Sequence, residues 1–253
     1  KDNIITNFLE KKKIFYIENF QLKKESWLKA GGDFKFLIQP KDLNEVYDVL
    51  SFFKNNKITF YTVGNISNVI FRDGMIRTPI INLKKFNKIN IKNSNKDFIE
   101  VDVNSGVSIF KFVTFISSKL KISGLEGLVG IPGTLGGAVY MNSSSYDSYI
   151  SEFIKEVLII DKNCEMIKLS KKDLNFEWRS SIFHKMKDFV ILNILFEFPK
   201  KLISNTENIN NRILKIKNHR IKFQEKKLPN LGSLFATKDL HSDIAKASLK
   251  FKI

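Results

Sequence analysis

The glycines of this chain are concentrated in one short segment, and this constrains the fold more than any other feature. Of the 12 glycines, five lie between positions 127 and 137. Glycine is used where the backbone takes unusual dihedral angles or approaches another group without a Cβ in the way. A second glycine-bearing segment, 64–68 (Gly-Asn-Ile-Ser-Asn), directly follows the apolar run 58–63. Two such loops indicate backbone N–H groups gathered around a bound anion such as a pyrophosphate.

Tight turns without any ligand are the competing interpretation of these loops. Neither loop is a Walker A motif, because no Lys-Ser/Thr pair follows at the required spacing, and neither has the GxGxxG pattern. The residues therefore predict a phosphate-bearing ligand and leave ordinary turns open as the alternative.

Composition is typical of a folded soluble protein, with 43% hydrophobic and 12% aromatic residues in 253. That length is enough for one large domain or two modest ones. The apolar runs are too short to span a bilayer, and we see no signal peptide near the start. The single cysteine, Cys164, excludes an internal disulfide and fits a reducing compartment. We therefore expect a cytoplasmic globular protein without a membrane partner.

The formal net charge of +16 raises the question of nucleic-acid binding. Only five of the 42 basic residues are arginines, whereas base readout and phosphate contacts favour arginine. The lysines are scattered along the whole chain, as on solvated surfaces. We predict no nucleic-acid partner, although the charge would attract a polyanionic small molecule.

Strand and helix patterns follow each other in mixed order, which predicts an α+β fold. Strands are predicted at 34–38, 58–63, 69–71, 89–91, 98–103, 154–161, 165–169 and 189–198. Helices are predicted after the caps Asp42 and Ser108 and from Thr206. The apolar face predicted for the first helix consists of Leu43, Val46, Tyr47, Leu50 and Phe53. A domain boundary near 199–205 is weakly marked.

Histidine and cysteine spacing does not suggest a metal site or a catalytic triad. His184, His219 and His241 lie far apart and show no ligand spacing with Cys164. No GxSxG nucleophile elbow occurs.

Two other polar positions are candidates for chemistry. Arg179, in the Trp-Arg-Ser-Ser segment 178–181, could hold a carboxylate bidentately, with a structural ion pair as the alternative. Ser233 follows a glycine in the turn-like segment 229–233, where a hydroxyl bound to its own backbone is the alternative.

Five segments, taken in chain order, resemble the UDP-N-acetylenolpyruvoylglucosamine reductases, flavoenzymes of peptidoglycan precursor synthesis. The segments are 31–32, 63–68, 130–142, 178–183 and 232–235. The most specific is 130–142, Gly-Ile-Pro-Gly-Thr-Leu-Gly-Gly-Ala-Val-Tyr-Met-Asn, which is very close to the family's own sequence.

The resemblance implies an FAD-binding fold of the vanillyl-alcohol oxidase type followed by a smaller α+β substrate domain. Residues 1–200 would form the FAD-binding region, with two α+β subdomains, and 201–253 an incomplete substrate-binding domain. The implied reaction uses NADPH and noncovalent FAD to reduce the enolpyruvyl ether of UDP-N-acetylglucosamine enolpyruvate to UDP-N-acetylmuramate. A cytoplasmic monomer is expected.

The resemblance also assigns the site residues. The residues implied to line FAD are Gly64, Asn65, Ser67, Asn68, Ile131, Gly133, Gly136 and Gly137. Arg179 would stabilise negative charge that develops on the substrate, and Ser233 would deliver a proton to its C2 atom. No metal is implied.

The chain departs from the family pattern at several positions. Ile66 replaces a glycine, the segment 142–148 is poorer in glycine, and 235–238 reads Phe-Ala-Thr-Lys instead of Phe-Lys-Asn-Pro. No residue matches the family's C-terminal glutamate before the chain ends at Ile253. The short interval 198–229 is typical of the shorter subclass, without a substrate-covering loop. A same-fold flavoenzyme with another substrate and a non-catalytic remnant lacking that glutamate therefore stay open as alternatives.

Overall fold

Two five-stranded sheets organise the part of the chain that a computed structural model describes, residues 2–224, 228 and 229. The helices are α1 (Asp2–Lys12), α2 (Leu22–Glu25), α3 (Leu43–Asn55), α4 (Ile109–Thr114), α5 (Leu135–Tyr140) and α6 (Thr206–Phe223). The strands are β1 (Tyr16–Gln21), β2 (Asp33–Ile38), β3 (Tyr61–Val63), β4 (Met75–Ile76), β5 (Ile80–Asn82), β6 (Ile89–Ser94), β7 (Phe98–Asn104), β8 (Ser144–Ser145), β9 (Ser148–Tyr149), β10 (Ile154–Asp161), β11 (Met166–Ser170) and β12 (Phe189–Pro199). This mixture confirms the predicted α+β class.

The first sheet is mixed, with the order β1-β2-β5-β3 and β4 beside β2. Strand β1 is antiparallel to β2, whereas β2, β5 and β3 run parallel. Parallel strands of one sheet need a crossover connection, and α3 provides it between β2 and β3, which lie on either side of β5. The chain turns into α3 at Asp42, whose carboxylate accepts a hydrogen bond from the Glu45 N–H at 2.9 Å, as the sequence predicts.

The buried face of α3 differs from the prediction at two positions, because Val49 belongs to it and Tyr47 does not. Val46, Val49, Leu50 and Phe53 are buried, but Tyr47 is 47% exposed. The buried stripe is centred on 46, 49, 50 and 53, which places position 47 beside it instead of within it.

The second sheet is antiparallel throughout, in the order β11-β10-β12-β7-β6. Its strands match the predictions at 89–91, 98–103, 154–161, 165–169 and 189–198. Helix α4 begins after Ser108, whose hydroxyl accepts from the Lys111 N–H at 3.2 Å, and it continues as a π-helical turn over Phe115–Lys119. A large apolar core joins this sheet to α4 and α5.

Two predicted strands of the first sheet are wrong in part. The strand predicted at 58–63 is reduced to Tyr61–Val63, and 69–71 forms no strand. Val69 and Ile70 are 40% and 65% exposed, so these apolar side chains have no core to join. The segment after the first glycine loop runs over the surface instead of entering the sheet.

The two sheets share buried side chains. Phe36 and Ile38 of β2 belong to one apolar cluster with Ile160 of β10 and Leu192 of β12. The two sheets therefore pack on each other through this cluster. None of the described helices is long and apolar enough to cross a membrane.

Candidate active site

The two glycine loops contact each other, although about 65 residues separate them in sequence. Strand β3 delivers Gly64 directly against Thr134, where a Cβ on the glycine would collide with the threonine Oγ1. Ser67 Oγ donates a hydrogen bond to the Pro132 carbonyl. A Cβ on Gly133 would lie 3.8 Å from Ser67 Oγ. The two loops that the sequence predicts to bind one ligand are therefore brought to one place.

Asn82 holds the first loop in place by hydrogen bonds, and sequence reasoning did not identify this residue. Its amide Nδ2 donates to the Gly64 carbonyl at 2.7 Å, and its Oδ1 accepts from the Lys84 N–H at 3.0 Å. The side chain is buried at the end of β5. The sequence did contain a signal for this role, because Asn82 directly follows two isoleucines of a buried strand. A polar side chain that is buried at such a position needs hydrogen-bond partners.

Ile66 adopts the backbone conformation expected of the glycine it replaces. Its φ is 51°, in the left-handed region that disfavours β-branched residues by about 1–2 kcal/mol. Its side chain is buried in a small cluster with Phe34, Val63 and Ile80. Ile66 is therefore buried in a backbone conformation that glycine would adopt more easily.

The second loop leads into α5 against the turn at 105–107. The Leu135 N–H donates to the Val107 carbonyl and the Gly136 N–H to the Ser105 carbonyl, both at 2.8 Å. A Cβ on Gly136 would lie 3.0 Å from the Ser105 Cβ, so this glycine allows close approach. Its own N–H is engaged by protein.

A buried hydroxyl beside this loop has no partner. Ser105 Oγ makes no hydrogen bond to any residue that the structure describes, although Ser105 is only 3% exposed. It lies 3.6 Å from the position of a Cβ on Gly136.

Arg179 lies at the tip of a tight turn and has no carboxylate partner among the described residues. Glu177 and Ser180 exchange backbone hydrogen bonds of 3.1 and 3.2 Å, and Arg179 between them has φ 54°. Its guanidinium lies 5.1 Å from the Trp178 ring centroid. Arginine ion pairs in the described part of the chain involve Arg77 and Arg212, not Arg179. This argues against the structural ion pair that the sequence left open.

Burial lowers the pKa of the Arg179 guanidinium below its ordinary value, with an opposing effect from Tyr149. Because that ordinary value is far above neutrality, the side chain stays charged. A half-buried cation with no counter-ion in the part of the chain that the structure describes is suited to an anionic ligand.

Arg220 is a second half-buried arginine, and sequence reasoning did not single it out. Its Nη2 donates to the Gly127 carbonyl at 3.1 Å and to Ser145 Oγ at 2.8 Å. A Cβ on Gly130 would lie 3.0 Å from the Arg220 Cδ. Burial lowers its pKa as well. The rarity of arginine in the chain was the signal that could have found it.

Tyr146 connects this arginine to the hairpin of β8 and β9. Tyr146 and Asp147 form its tip with φ values of 48° and 61°, a turn that normally prefers Asn-Gly. The Tyr146 ring lies 4.9 Å from the Arg220 Cζ, and its hydroxyl is 2.7 Å from His219 Nδ1. Helix α6 therefore holds this tip in an unfavourable conformation.

Some predicted residues lie outside the described part. They are Ser233, His241, the segment 232–235 and most of the predicted substrate domain 201–253 beyond position 224. Within the described residues, no group of three or more His, Cys, Asp or Glu side chains could hold a metal ion.

Comparisons with known proteins agree with this geometry. A family model described as an FAD binding domain matches residues 34–170, which include both glycine loops. A UDP-N-acetylenolpyruvoylglucosamine reductase from Clostridium kluyveri is 36% identical over 214 residues, covering 85% of this chain and 67% of the relative. The chain belongs to the UDP-N-acetylenolpyruvoylglucosamine reductase family. Another family member, from Clostridium novyi, is 34% identical, with 86% and 67% covered.

Two solved structures share the fold of this chain. The crystal structure of the reductase from Thermus caldophilus matches with a TM-score of 0.66 at 20% identity, covering 87% of this chain and 73% of that one. Cholesterol oxidase from B. sterolicum matches with a TM-score of 0.56 at 12% identity, covering 74% and 38%. The predicted FAD-binding fold of the vanillyl-alcohol oxidase type is confirmed.

Proposed function

We propose that this protein is an FAD-dependent reductase that uses NADPH to convert UDP-N-acetylglucosamine enolpyruvate to UDP-N-acetylmuramate. The observation that carries the proposal is the contact between the two glycine loops, Gly64 against Thr134, in a chain whose relatives are named for this reaction. The protein would act as a cytoplasmic monomer in peptidoglycan precursor synthesis, and so in cell wall biogenesis, cell shape and cell division.

The residues present fit FAD. The two loops contact each other at Gly64 and Thr134, where the structure leaves no room for a side chain on the glycine. The residues proposed to hold FAD are Gly64, Asn65, Ser67, Asn68, Ile131, Gly133, Gly136 and Gly137. Since the Gly136 N–H donates to the Ser105 carbonyl, its proposed contribution is the absence of a Cβ, and other backbone N–H groups of the two loops would bind the diphosphate. Bound FAD supplies the hydride-accepting and hydride-donating chemistry.

Arg179 is proposed to stabilise the charge that develops on the substrate. Hydride addition at C3 of the enolpyruvyl group places negative charge on C2 and, by delocalisation, on the carboxylate. A preorganised guanidinium stabilises such charge more strongly in a partly desolvated site than in water. The absence of a competing carboxylate in the described residues supports this role.

Ser233 is proposed to protonate C2, on the resemblance alone. A serine hydroxyl is a poor acid in water, so this requires close positioning beside a very basic carbanion. Changing Ser233 to Ala in the full chain should slow reoxidation of the reduced flavin by the UDP-sugar. An unchanged rate would mean that the proton has another source.

The reaction is tested by recording the visible spectrum of the protein without oxygen. NADPH should bleach the flavin bands, and UDP-N-acetylglucosamine enolpyruvate should restore them. Arg179→Ala should still be bleached by NADPH but recover much more slowly. Bands that stay bleached in the unchanged protein would favour a same-fold flavoenzyme with another substrate. A colourless protein that takes up no FAD would refute the assignment.

A further inference from the structure

The turn that carries Arg179 is attached to the segment that follows the second glycine loop. Ser181 Oγ donates to the Tyr140 carbonyl at 2.7 Å, at the end of α5. Asn142 Nδ2 donates to the Glu177 carbonyl at 2.8 Å, two residues before the arginine. Two side-chain hydrogen bonds therefore connect the turn, one on each side of Arg179, to the same three-residue stretch.

The anchoring side chains are themselves well buried. Asn142 is 8% exposed and Ser181 is 3% exposed. The Ser181 N–H also donates to His184 Nδ1 at 3.3 Å, and the His184 ring lies 4.4 Å from the Tyr140 ring. Both sides of the attachment are thus packed, which limits the freedom of the turn between them.

The backbone conformation of Arg179 goes against local preference. Arg179 has φ 54°, in the left-handed region that non-glycine residues rarely occupy, whereas Asn142, with φ 42° just after α5, takes a conformation that is common for asparagine at a helix end. A conformation such as that of Arg179 persists only when the surrounding structure determines it. The backbone hydrogen bonds between Glu177 and Ser180 close the turn, and the side-chain hydrogen bonds of Asn142 and Ser181 attach it to the end of α5.

We propose that Asn142 and Ser181 are positioning residues that fix the Arg179 guanidinium relative to the second glycine loop. In the proposed reaction, the guanidinium held in this way would bind the carboxylate of the substrate. The identity of that carboxylate rests on the proposed function, whereas the attachment of the turn does not.

A purely structural role makes a different prediction. The apolar core around α5 contains Leu135, Ala138 and Val139 together with Phe183, which follows the turn. If the two anchors served only stability, their loss would lower the melting temperature and slow both half-reactions alike. If they position Arg179, the loss falls on the step that needs the substrate carboxylate.

Tryptophan fluorescence reports on the turn without any ligand. The chain has two tryptophans, so Trp27→Phe leaves Trp178 as the only fluorescent indole. The Trp178 Nε1 atom is buried, and its ring lies against the Arg179 guanidinium. In that background, Ser181→Ala and Asn142→Asp should shift the emission to longer wavelength as the turn gains exposure. Ser181→Thr, which keeps the hydroxyl, and Ser180→Ala, the neighbouring control, should leave it unchanged.

Rapid kinetics of the same variants tests the positioning. For Ser181→Ala and Asn142→Asp, we expect flavin reduction by NADPH to stay within about twofold of the parent protein. Reoxidation by the UDP-sugar should slow at least tenfold, and substrate affinity, followed by perturbation of the oxidised flavin spectrum, should fall. Ser181→Thr should recover most of the rate.

Equal losses in both half-reactions, or an unshifted emission with normal reoxidation, would overturn the proposal. If the parent protein is bleached by NADPH but not reoxidised by the UDP-sugar, the proposed function fails. The fluorescence comparison still decides whether the two anchors hold the turn.

Discussion

Five non-glycine residues around the candidate site have a left-handed backbone: Ile66, Asn142, Tyr146, Asp147 and Arg179. This backbone conformation is unfavourable for the isoleucine, the tyrosine and the arginine, and other left-handed non-glycine residues occur throughout the described part of the chain. Ile66 is held by burial, Tyr146 by α6, and Arg179 by its neighbours. At the residue scale, the site therefore depends on local strain that tertiary contacts offset.

Ile66→Gly separates strain from burial. Glycine would remove about 1–2 kcal/mol of backbone strain, but loss of a buried isoleucine typically costs about 2–5 kcal/mol. The burial effect is larger, so the variant should lose about 1–3 kcal/mol of unfolding free energy in urea denaturation. A more stable variant would show that strain dominates.

Gly74→Ala is the matched control for backbone strain alone. Gly74 has φ 86°, and a Cβ there would meet no heavy atom within 4 Å. Its cost should be about 1–2 kcal/mol, without a packing component.

Gly64→Ala should weaken FAD binding through the contact with Thr134. The new Cβ would collide with Thr134 Oγ1, whereas on Gly133 it would meet the flexible end of Ile109 at 3.2 Å. Titration of the apoprotein with FAD should show a much larger loss for Gly64→Ala than for Gly133→Ala. Adding Thr134→Ala should restore part of the affinity, since the Thr134 Cβ lies 3.3 Å away. No recovery in the double variant would place the defect elsewhere.

At the scale of elements, helix α6 contacts the segments on both sides of the second glycine loop through two arginines, Arg212 and Arg220. Arg220 makes hydrogen bonds of 3.1 and 2.8 Å, whereas Arg212 lies 3.8 Å from the Glu126 carboxylate and is half exposed. The docking of this helix should therefore depend mainly on Arg220.

Arg220→Ala should reduce stability by about 1–3 kcal/mol, because it leaves two partly buried acceptors without their donor. Arg212→Ala should cost less than Arg220→Ala, because the Arg212 side chain is 45% exposed and lies 3.8 Å from the Glu126 carboxylate, although it leaves that buried carboxylate without its cation. Hydrogen exchange along α6 measures both effects locally. Equal protection in the two variants would contradict this ranking.

Lys155 joins three strands of the second sheet through Glu100 and Glu197, at 2.7 and 2.6 Å. The hydrogen bond to Glu100 is the largest of the effects that raise the pKa of Lys155 from 10.5 to about 12. The hydrogen bond from Lys155 lowers the pKa of Glu100 below 4.5. The lysine's stabilisation is therefore complete below pH 10.5 and is lost as the pH rises towards 12, and the glutamate's is lost as the pH falls below 4.5.

Urea denaturation at a series of pH values tests the predicted pH dependence of the unfolding free energy. Compared with Lys155→Met, the parent protein should lose its stability advantage between pH 10.5 and 12. A difference that is constant across this range would contradict the assignment. Since Lys155 is nearly half exposed, we expect the effect to be modest.

At the scale of the whole molecule, the net charge of +16 should act on association rates with anionic ligands. The second-order rate of flavin reduction by NADPH should fall by roughly threefold or more between low and physiological salt, because ions screen the attraction. NADH carries less negative charge and should show a shallower dependence in the same stopped-flow experiment. Equal slopes for the two nucleotides would argue against steering by charge.

The sequence by itself determined the family, the fold type and most strands of the second sheet. It also gave the caps of α3 and α4 at Asp42 and Ser108, because capping and strand periodicity depend on residues a few positions apart. Both glycine loops and Arg179 were also identified as candidates, because each lies in a short segment of distinctive sequence.

Only the tertiary structure decided how these candidates come together. It placed Gly64 against Thr134 and brought Asn82 and Arg220 into hydrogen bonds with the glycine segments. It also left Arg179 without an ion pair among the described residues. It also exposed Tyr47 and kept 69–71 out of the sheet. Each of these outcomes depends on which distant surfaces pack together, and a local pattern of residues does not contain that information.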